Sequence, residues 1–586
     1  MTTPLDIGHC QDDIQAIVAS AFAPLRQCHY VFLRVQDAAL ARAWMGAQVQ
    51  AGLVKSVADL DAHRPHPAVL ALGFTYAGLL ALGLTEADDL PFASLFKTGM
   101  ACAERAKLFG DAPAHWQWAD VALDPSGNCG ALPAEQRAQA GSAQALQPAP
   151  QQVHLLAAYF ASALTPAVPA FLSAAALQTA GLAHAIGPVA SCPAYLQPDG
   201  KGGVLSYEPF GFRDGISQPV IRGLREASAE QAARLKAGPL YEDRVVAPGE
   251  FLFGHLNEYG EIAVAPGAQW QAPGRRDAGA AFGRNGSFMV VRQYRQFVDA
   301  FEHYTKMADP AAHGLVPAAT DSAAATAPAA ATVPAAGTVP AAATVPAAAT
   351  APAPAATAAC PARPLANQPG AGEKMIGRMR EGAPLLPAHA ALPEDNAFRY
   401  RVDDGAGFAC PRGAHVRRAN PRDLLGWDVA SGVVAAKLHR LLRRGRTWTE
   451  GCKGGPCTEA GTCGEAVHRL PQAGDQRCGT GLMFIALNAD LERQYEFIAQ
   501  QWLMNQKFGD LYDEADPILA TRAGGTTRHF SIPALPAGKK LTGLPDFTEV
   551  IGGGYFFLPG LAALRFIARG PEAAEPGGQV PAPASP

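Results

Sequence analysis

Residues 207–219 read YEPFGFRDGISQP. Two acids stand in this stretch. Glu208 is near its start, and Asp214 is held between Arg213 and Gly215 at its centre. Gly211 and Gly215 permit turns that other residues resist, and Pro219 stiffens the exit. A loop this constrained presents a carboxylate in a fixed place. A fixed carboxylate serves as an acid or base rather than as a solvated surface charge.

The rest of the chain supplies a large scaffold for it. The 586 residues exceed one ordinary core, and 48% of them are apolar, so two folded units plus extra segments are expected. The net charge is −4 and no long basic run occurs, which argues against nucleic acid and an acidic membrane surface as partners. The N-terminus MTTPLDIGHCQDDIQ is polar, with no basic start leading into an apolar run. The window Leu164 to Gly187 is broken by Pro166, Pro169, Gln178, Thr179 and His184, so it reads as a packed helix and not a membrane span. Eleven cysteines, mostly scattered singly, suit a reducing cytoplasm. Four of them, Cys452, Cys457, Cys463 and Cys478, lie in a Gly-rich stretch whose spacing fits no common zinc pattern.

Strand signals alternate with helix signals. HYVFLRV (29–35) reads as a strand, DAALARAWMGAQV as a helix, and AVLALGFTYAGLLALGL as a strand entering a turn and helix. QVHLLAAYFAS, GSFMVVR, GAHVRR, GLMFIALN and GGGYFFLPG read as further strands. Tyr294, Phe297, Val298, Phe301 and Tyr304 fit one helical face, as do Leu491, Tyr495, Ile498 and Trp502. This order suits an α+β sandwich. Between Asp321 and Arg363 no charged residue occurs, and Pro recurs too often for helix or sheet, so a disordered Ala/Pro insert is expected over 315–366. The remaining divisions are an N-terminal unit at 1–235, a C-terminal unit at 245–570 interrupted by that insert and by a Cys-rich loop at 450–479, and a disordered tail at 571–586.

His415 lies in CPRGAHVRRANPRD, beside Arg417, Arg418 and Arg422. Neighbouring cations favour neutral imidazole, which is a metal ligand, and a basic rim suits anionic groups such as propionates. A second cluster, KLHRLLRRGRTW, carries Arg440, Arg443, Arg444 and Arg446. A phosphate-binding reading of GAGEKM near Lys374 fails, because the full Walker spacing is absent and no Ser or Thr follows the Lys.

Taken in order, G-x-x-D-G, then His inside C-P-x-G-A-H-x-R-R-x-N-P-R, then L-L-R-R-G resemble the dye-decolorizing peroxidase family. GFTYAGLLALGL, GEFLFGHLNEYG, NGSFMVVRQYRQF, KMIGRMREGAPL, GLMFIALNADLERQYEFIAQQWLMN and GGGYFFLPGL agree in the same order. The resemblance implies two ferredoxin-like lobes, antiparallel sheets flanked by helices, with non-covalent haem b held mainly by the C-terminal lobe. It implies reduction of hydrogen peroxide with oxidation of dyes, phenols or similar small reductants, through a ferryl intermediate. His415 matches the proximal iron ligand, Asp214 the distal acid–base residue, and Arg443 the distal charge stabiliser, with Arg444 next if the register slips by one. Asp516 is the expected carboxylate behind His415, ahead of Glu492 and Glu496, and Arg417 the expected propionate partner. Gly445 departs from relatives that carry Asn there. A haem carrier on the same lobes is the alternative, but it needs no Asp214 with Arg443. Trp427, Trp448 and Trp502 remain open as surface relay residues, and homo-oligomerisation is left open.

Overall fold

The computed structural model describes residues 6–60, 66–87, 89–124, 149–164, 167–199, 204–224, 240–271, 281–308, 369–391, 395–449, 479–520 and 528–571. The Ala/Pro insert, all but Gly479 of the Cys-rich loop, all but Pro571 of the tail, and most of the stretch between the two units lie outside these residues.

Eight strands make the frame: β1 Gln27–Val35, β2 Ala68–Phe74, β3 Leu155–Ala161, β4 Val189–Ser191, β5 Ser287–Gln296, β6 Arg446–Thr449, β7 Thr480–Asn488 and β8 Thr548–Leu558. Apolar and β-branched runs define the six long ones, as the sequence predicts, whereas β4 and β6 are short and carry no such run. Their spatial order is β5-β7-β6-β4-β1-β3-β2-β8, and β8 pairs again with β5, so the sheet closes on itself. Every neighbouring pair in this ring is antiparallel. Within each half the strands lie fourth, first, third, second by chain order: β4-β1-β3-β2 and β8-β5-β7-β6. The halves meet at two short seams. One is Ser191 and Ala190 opposite Trp448 and Thr449, and the other is Phe74 opposite Phe557.

Strand alternation fills both faces of this ring. In β1, Val31 and Leu33 pack with Trp44 and Met45 of the helix α1 Ala38–Gln50. Tyr30 and Phe32 turn the other way, to Leu156, Met289, Ile485 and Phe556 from the remaining strands. Each such side chain contributes about 1.5–3 kcal/mol by burial. Asp37 caps α1 by accepting the Leu40 N–H at 3.0 Å.

Several expectations change. Tyr294 belongs to β5 and not to the helix after it, α2 Val298–Ala308, because its backbone pairs with Leu482 and Val550. GAHVRR forms a short helix, α3 His415–Ala419, instead of a strand. One Val gave that stretch its strand character, but the two arginines after it find buried acceptors only when helical turns point them inward. The window 164–187 holds a six-residue helix, Ala174–Thr179, and a strand, Leu182–His184, instead of one packed helix. Among the described residues no helix is long and apolar enough to cross a membrane. Cys102 is disulfide-bonded, whereas Cys10, Cys28 and Cys410 are free thiols.

Candidate active site

The loop quoted first folds back on a short ladder, with Ser206 opposite Asp214 and Tyr207 opposite Arg213. Gly211 and Gly215 have φ of 85° and 80°, in the region that favours glycine. Glu208 ties the turn together. Its carboxylate accepts the N–H groups of Phe210 at 3.0 Å and Phe212 at 2.9 Å, and the Gln296 amide at 2.8 Å. Burial pushes the Glu208 carboxyl up to about 7, against the pull of these donors. Sequence reading gave Glu208 no role. Its two- and four-residue spacing from the N–H groups it accepts was the available signal.

Asp214 Oδ1 accepts the Gly215 N–H at 2.6 Å and lies 3.7 Å from Arg443 Nη1. Arg443 Nη2 donates to the Ile216 carbonyl at 2.7 Å, and the Arg443 N–H donates to Gln218 Oε1 at 3.1 Å. The arginine is thus fastened to the loop that carries Asp214. Both side chains are partly exposed, and with Gln218, Leu482 and Phe484 they line a cavity of about 100 Å³. Arg444, the alternative in the register, turns away to the carbonyls of Ile17 and Val18. Gly445 also lines the cavity. A Cβ there would lie 2.0 Å from the Met483 carbonyl oxygen, so β7 itself excludes a side chain at this position.

His415 opens helix α3, and its Nδ1 lies 2.9 Å from Asp516 Oδ2. Asp516 is fully buried. Its other oxygen accepts the Ile518 and Leu519 N–H groups at 2.9 and 2.8 Å. Burial opposes protonation of His415, but the Asp516 carboxylate outweighs it and raises the imidazole above its usual value. Burial works against Asp516 ionisation too, and the His415 pairing still holds that carboxyl below the usual range. With Nδ1 engaged, Nε2 is the nitrogen left to coordinate a metal. Arg443 and Glu208 are near enough for their charges to act on His415, so the loop, the arginine and the histidine form one neighbourhood.

The other expected carboxylates lie elsewhere. Glu496 accepts from Arg105 and from the Tyr555 hydroxyl, and Glu492 is exposed. Arg417 is also not at the site. Its guanidinium is fully buried and binds Asp404 Oδ2 at 3.1 Å and the Cys410 carbonyl at 2.6 Å, 4.5 Å above the Tyr400 ring. Arg418 is likewise buried, donating to the Trp502 carbonyl at 2.8 Å and the Asn505 carbonyl at 3.1 Å. The two arginines fix the helix that carries His415.

A second, more basic cavity borders the loop, with Ser217, Asn396, Phe398, Arg422 and Arg440 in its wall. Arg440 donates to the Ser217 carbonyl, and Arg422 to Asn396, Phe398 and Ser217. These acceptors are neutral. Burial and the neighbouring Arg422, Arg443 and Arg244 push Arg440 down to about 9. Such a cluster suits anionic groups.

No family model matches the chain. Among curated proteins, the dye-decolorizing peroxidase AauDyP1 of Auricularia auricula-judae is 25% identical over 576 residues, spanning 94% of this chain and 86% of its own. The dye-decolorizing peroxidase of Exidia glandulosa is 25% identical over 573 residues, with the same coverage. The multifunctional dye peroxidase DyP2 of Amycolatopsis is 32% identical over 205 residues, covering 34% of this chain and 41% of that protein. Solved structures share the fold. An ancestral D-type dye decolorizing peroxidase superposes with TM-score 0.59 at 20% identity over 96% of this chain and 99% of its own. A decolorizing peroxidase from Auricularia auricula-judae superposes with TM-score 0.60 at 21% identity over 95% and 99%. Over nearly its whole length the chain is thus similar to dye-decolorizing peroxidases, and it shares the fold of their solved structures.

Proposed function

We propose that this protein reduces hydrogen peroxide at a non-covalent haem b and passes the oxidising equivalents to dyes, phenols or similar small reductants. In this reading its two halves are the two ferredoxin-like lobes, a reading supported by their matching strand order. The observation that carries the proposal is the juxtaposition of Asp214 and Arg443 in one cavity wall with His415 nearby on a buried carboxylate.

The residues fit the group. His415 would hold the iron through Nε2, made more basic by Asp516 at Nδ1. Arg422 and Arg440 would hold its propionates, in place of Arg417. Haem b, when bound, would supply the redox chemistry of peroxide reduction. The chain's own residues move the protons. Asp214 Oδ1 is engaged by the Gly215 N–H and faces Arg443, so Oδ2 takes the proton from peroxide and returns it to the departing oxygen. The Arg443 guanidinium, held by the Ile216 carbonyl, counters the negative charge that builds on that oxygen. A haem carrier would need His415 alone, and the distal pair favours catalysis.

The test is an absorbance spectrum of the purified protein before and after one equivalent of peroxide. A Soret band that shifts on addition is expected, and His415→Ala should lose most of it. A full Soret band in that variant overturns the ligand assignment.

A further inference from the structure

The mechanism makes no use of Arg446, yet Arg446 lines the same cavity as Asp214 and Arg443. The residue is only 5% exposed. It donates to three backbone carbonyls of one N-terminal stretch, Ala21 at 2.7 Å, Phe22 and Leu25, and lies 4.9 Å from the Phe160 ring centre. Arg444, two residues earlier, holds the Ile17 and Val18 carbonyls of the same stretch. Residues 17–25 are therefore fastened, from more than 400 positions away in the chain, to the segment that presents Arg443.

That fastening shapes the cavity. Phe22 has φ of 54°, a left-handed conformation uncommon outside Gly and Asn, and its buried ring meets Phe160 with centroids 4.9 Å apart. With Phe22 turned into the core, its neighbours Ala21 and Ala23 are partly exposed and form cavity wall beside Asp214, Gly215 and Arg443. Methyl groups are the smallest side chains that such a wall can carry short of glycine. The space they leave, about 100 Å³, holds several waters, and added methyl groups at these two positions would narrow it.

We propose that Ala21 and Ala23 set the size of ligand admitted to the distal cavity, and that Arg446 is the positioning residue that holds them there. The proposal rests on the reading of this cavity as the peroxide site, so its test includes an arm that needs no turnover. Ala21→Val and Ala23→Val are made in the holoprotein, and cyanide and imidazole binding are titrated by the haem absorbance shift. Imidazole affinity should fall at least about tenfold while cyanide affinity stays within about twofold. In the kinetic arm, the rate with tert-butyl hydroperoxide should fall by a similar factor relative to hydrogen peroxide. Equal loss for small and large ligands, or no loss for either, overturns the size filter. A selective change in ligand binding without any reaction with peroxide would instead overturn the peroxidase reading and leave the filter standing. Arg446→Met should raise protease cleavage within residues 17–25 and relax the imidazole discrimination, and Arg446→Lys should restore part of both. Unchanged cleavage and discrimination in Arg446→Met overturn the positioning role.

Discussion

Asp516→Asn offers a sharp test of the proximal half of the site, because the change is nearly isosteric and the structure dictates its outcome. In the wild type, Oδ1 accepts two backbone N–H groups, from Ile518 and Leu519, and Oδ2 accepts from His415. Asparagine has one acceptor oxygen. If that oxygen stays with Ile518 and Leu519, the NH₂ group faces His415 Nδ1. The imidazole proton must then move to Nε2, the atom needed by the iron. If the amide flips, His415 keeps its tautomer, but two buried N–H groups face another donor. Each buried donor left unpaired costs about 1–3 kcal/mol, so the flip costs about 2–6 kcal/mol and the tautomer change is preferred. Loss of such a supporting partner typically weakens metal affinity about 10–100-fold. The assay is the rate of haem transfer to excess apomyoglobin, followed at the Soret band. The variant should release haem at least about tenfold faster than wild type. Release at the wild-type rate would refute the reasoning, since the carboxylate would then have no hold on the ligand's tautomer.

Three further outcomes follow from the geometry. Glu208 rises from an ordinary 4.5 to about 7 on folding, so the native state binds its proton more tightly than the unfolded chain; stability to urea should fall as pH rises through that window, and Glu208→Gln should flatten the fall. Arg444→Met should lower the thermal midpoint, in line with a loss of about 2–6 kcal/mol from stranding the Ile17 and Val18 carbonyls, while leaving the peroxide rate of the folded fraction unchanged. Of the three tryptophans left open by the sequence, Trp448 and Trp502 are buried and Trp427 is 87% exposed; Trp427→Phe should slow oxidation of a bulky dye, measured by its bleaching, without slowing the reaction with peroxide.

What the sequence made legible was local. Apolar runs marked all the long strands, and glycines around Asp214 marked a constrained acid. Asp214, His415 and Arg443 could be singled out because each sits in a short, patterned motif. Pairings across long separations were not. Asp516 lies 101 positions from His415, and only the fold brings its carboxylate to Nδ1. The basic run LLRRGR looked like one kind of surface, yet the fold separates its members: Arg443 faces the acid, and Arg444 and Arg446 bind backbone carbonyls of the N-terminal stretch. Arg417 misled for the same reason. A buried arginine satisfied by Asp404 and a carbonyl is indistinguishable, by composition, from one waiting for an anion. Closure of the sheet was equally hidden, because the seams are one and two residue pairs long and carry no pattern of their own.

The central claim is that Asp214 moves the peroxide proton while Arg443 counters the charge. The most direct measurement is the stopped-flow rate at which the haem-loaded protein forms its first oxidised species with hydrogen peroxide, in wild type, Asp214→Asn and Arg443→Leu. Asp214→Asn should retain its haem and slow this step about 10²- to 10⁴-fold, and Arg443→Leu should slow it as well. Formation at the wild-type rate in Asp214→Asn, with loss only in Arg443→Leu, would contradict the account and leave the carboxylate loop as a wall of the pocket.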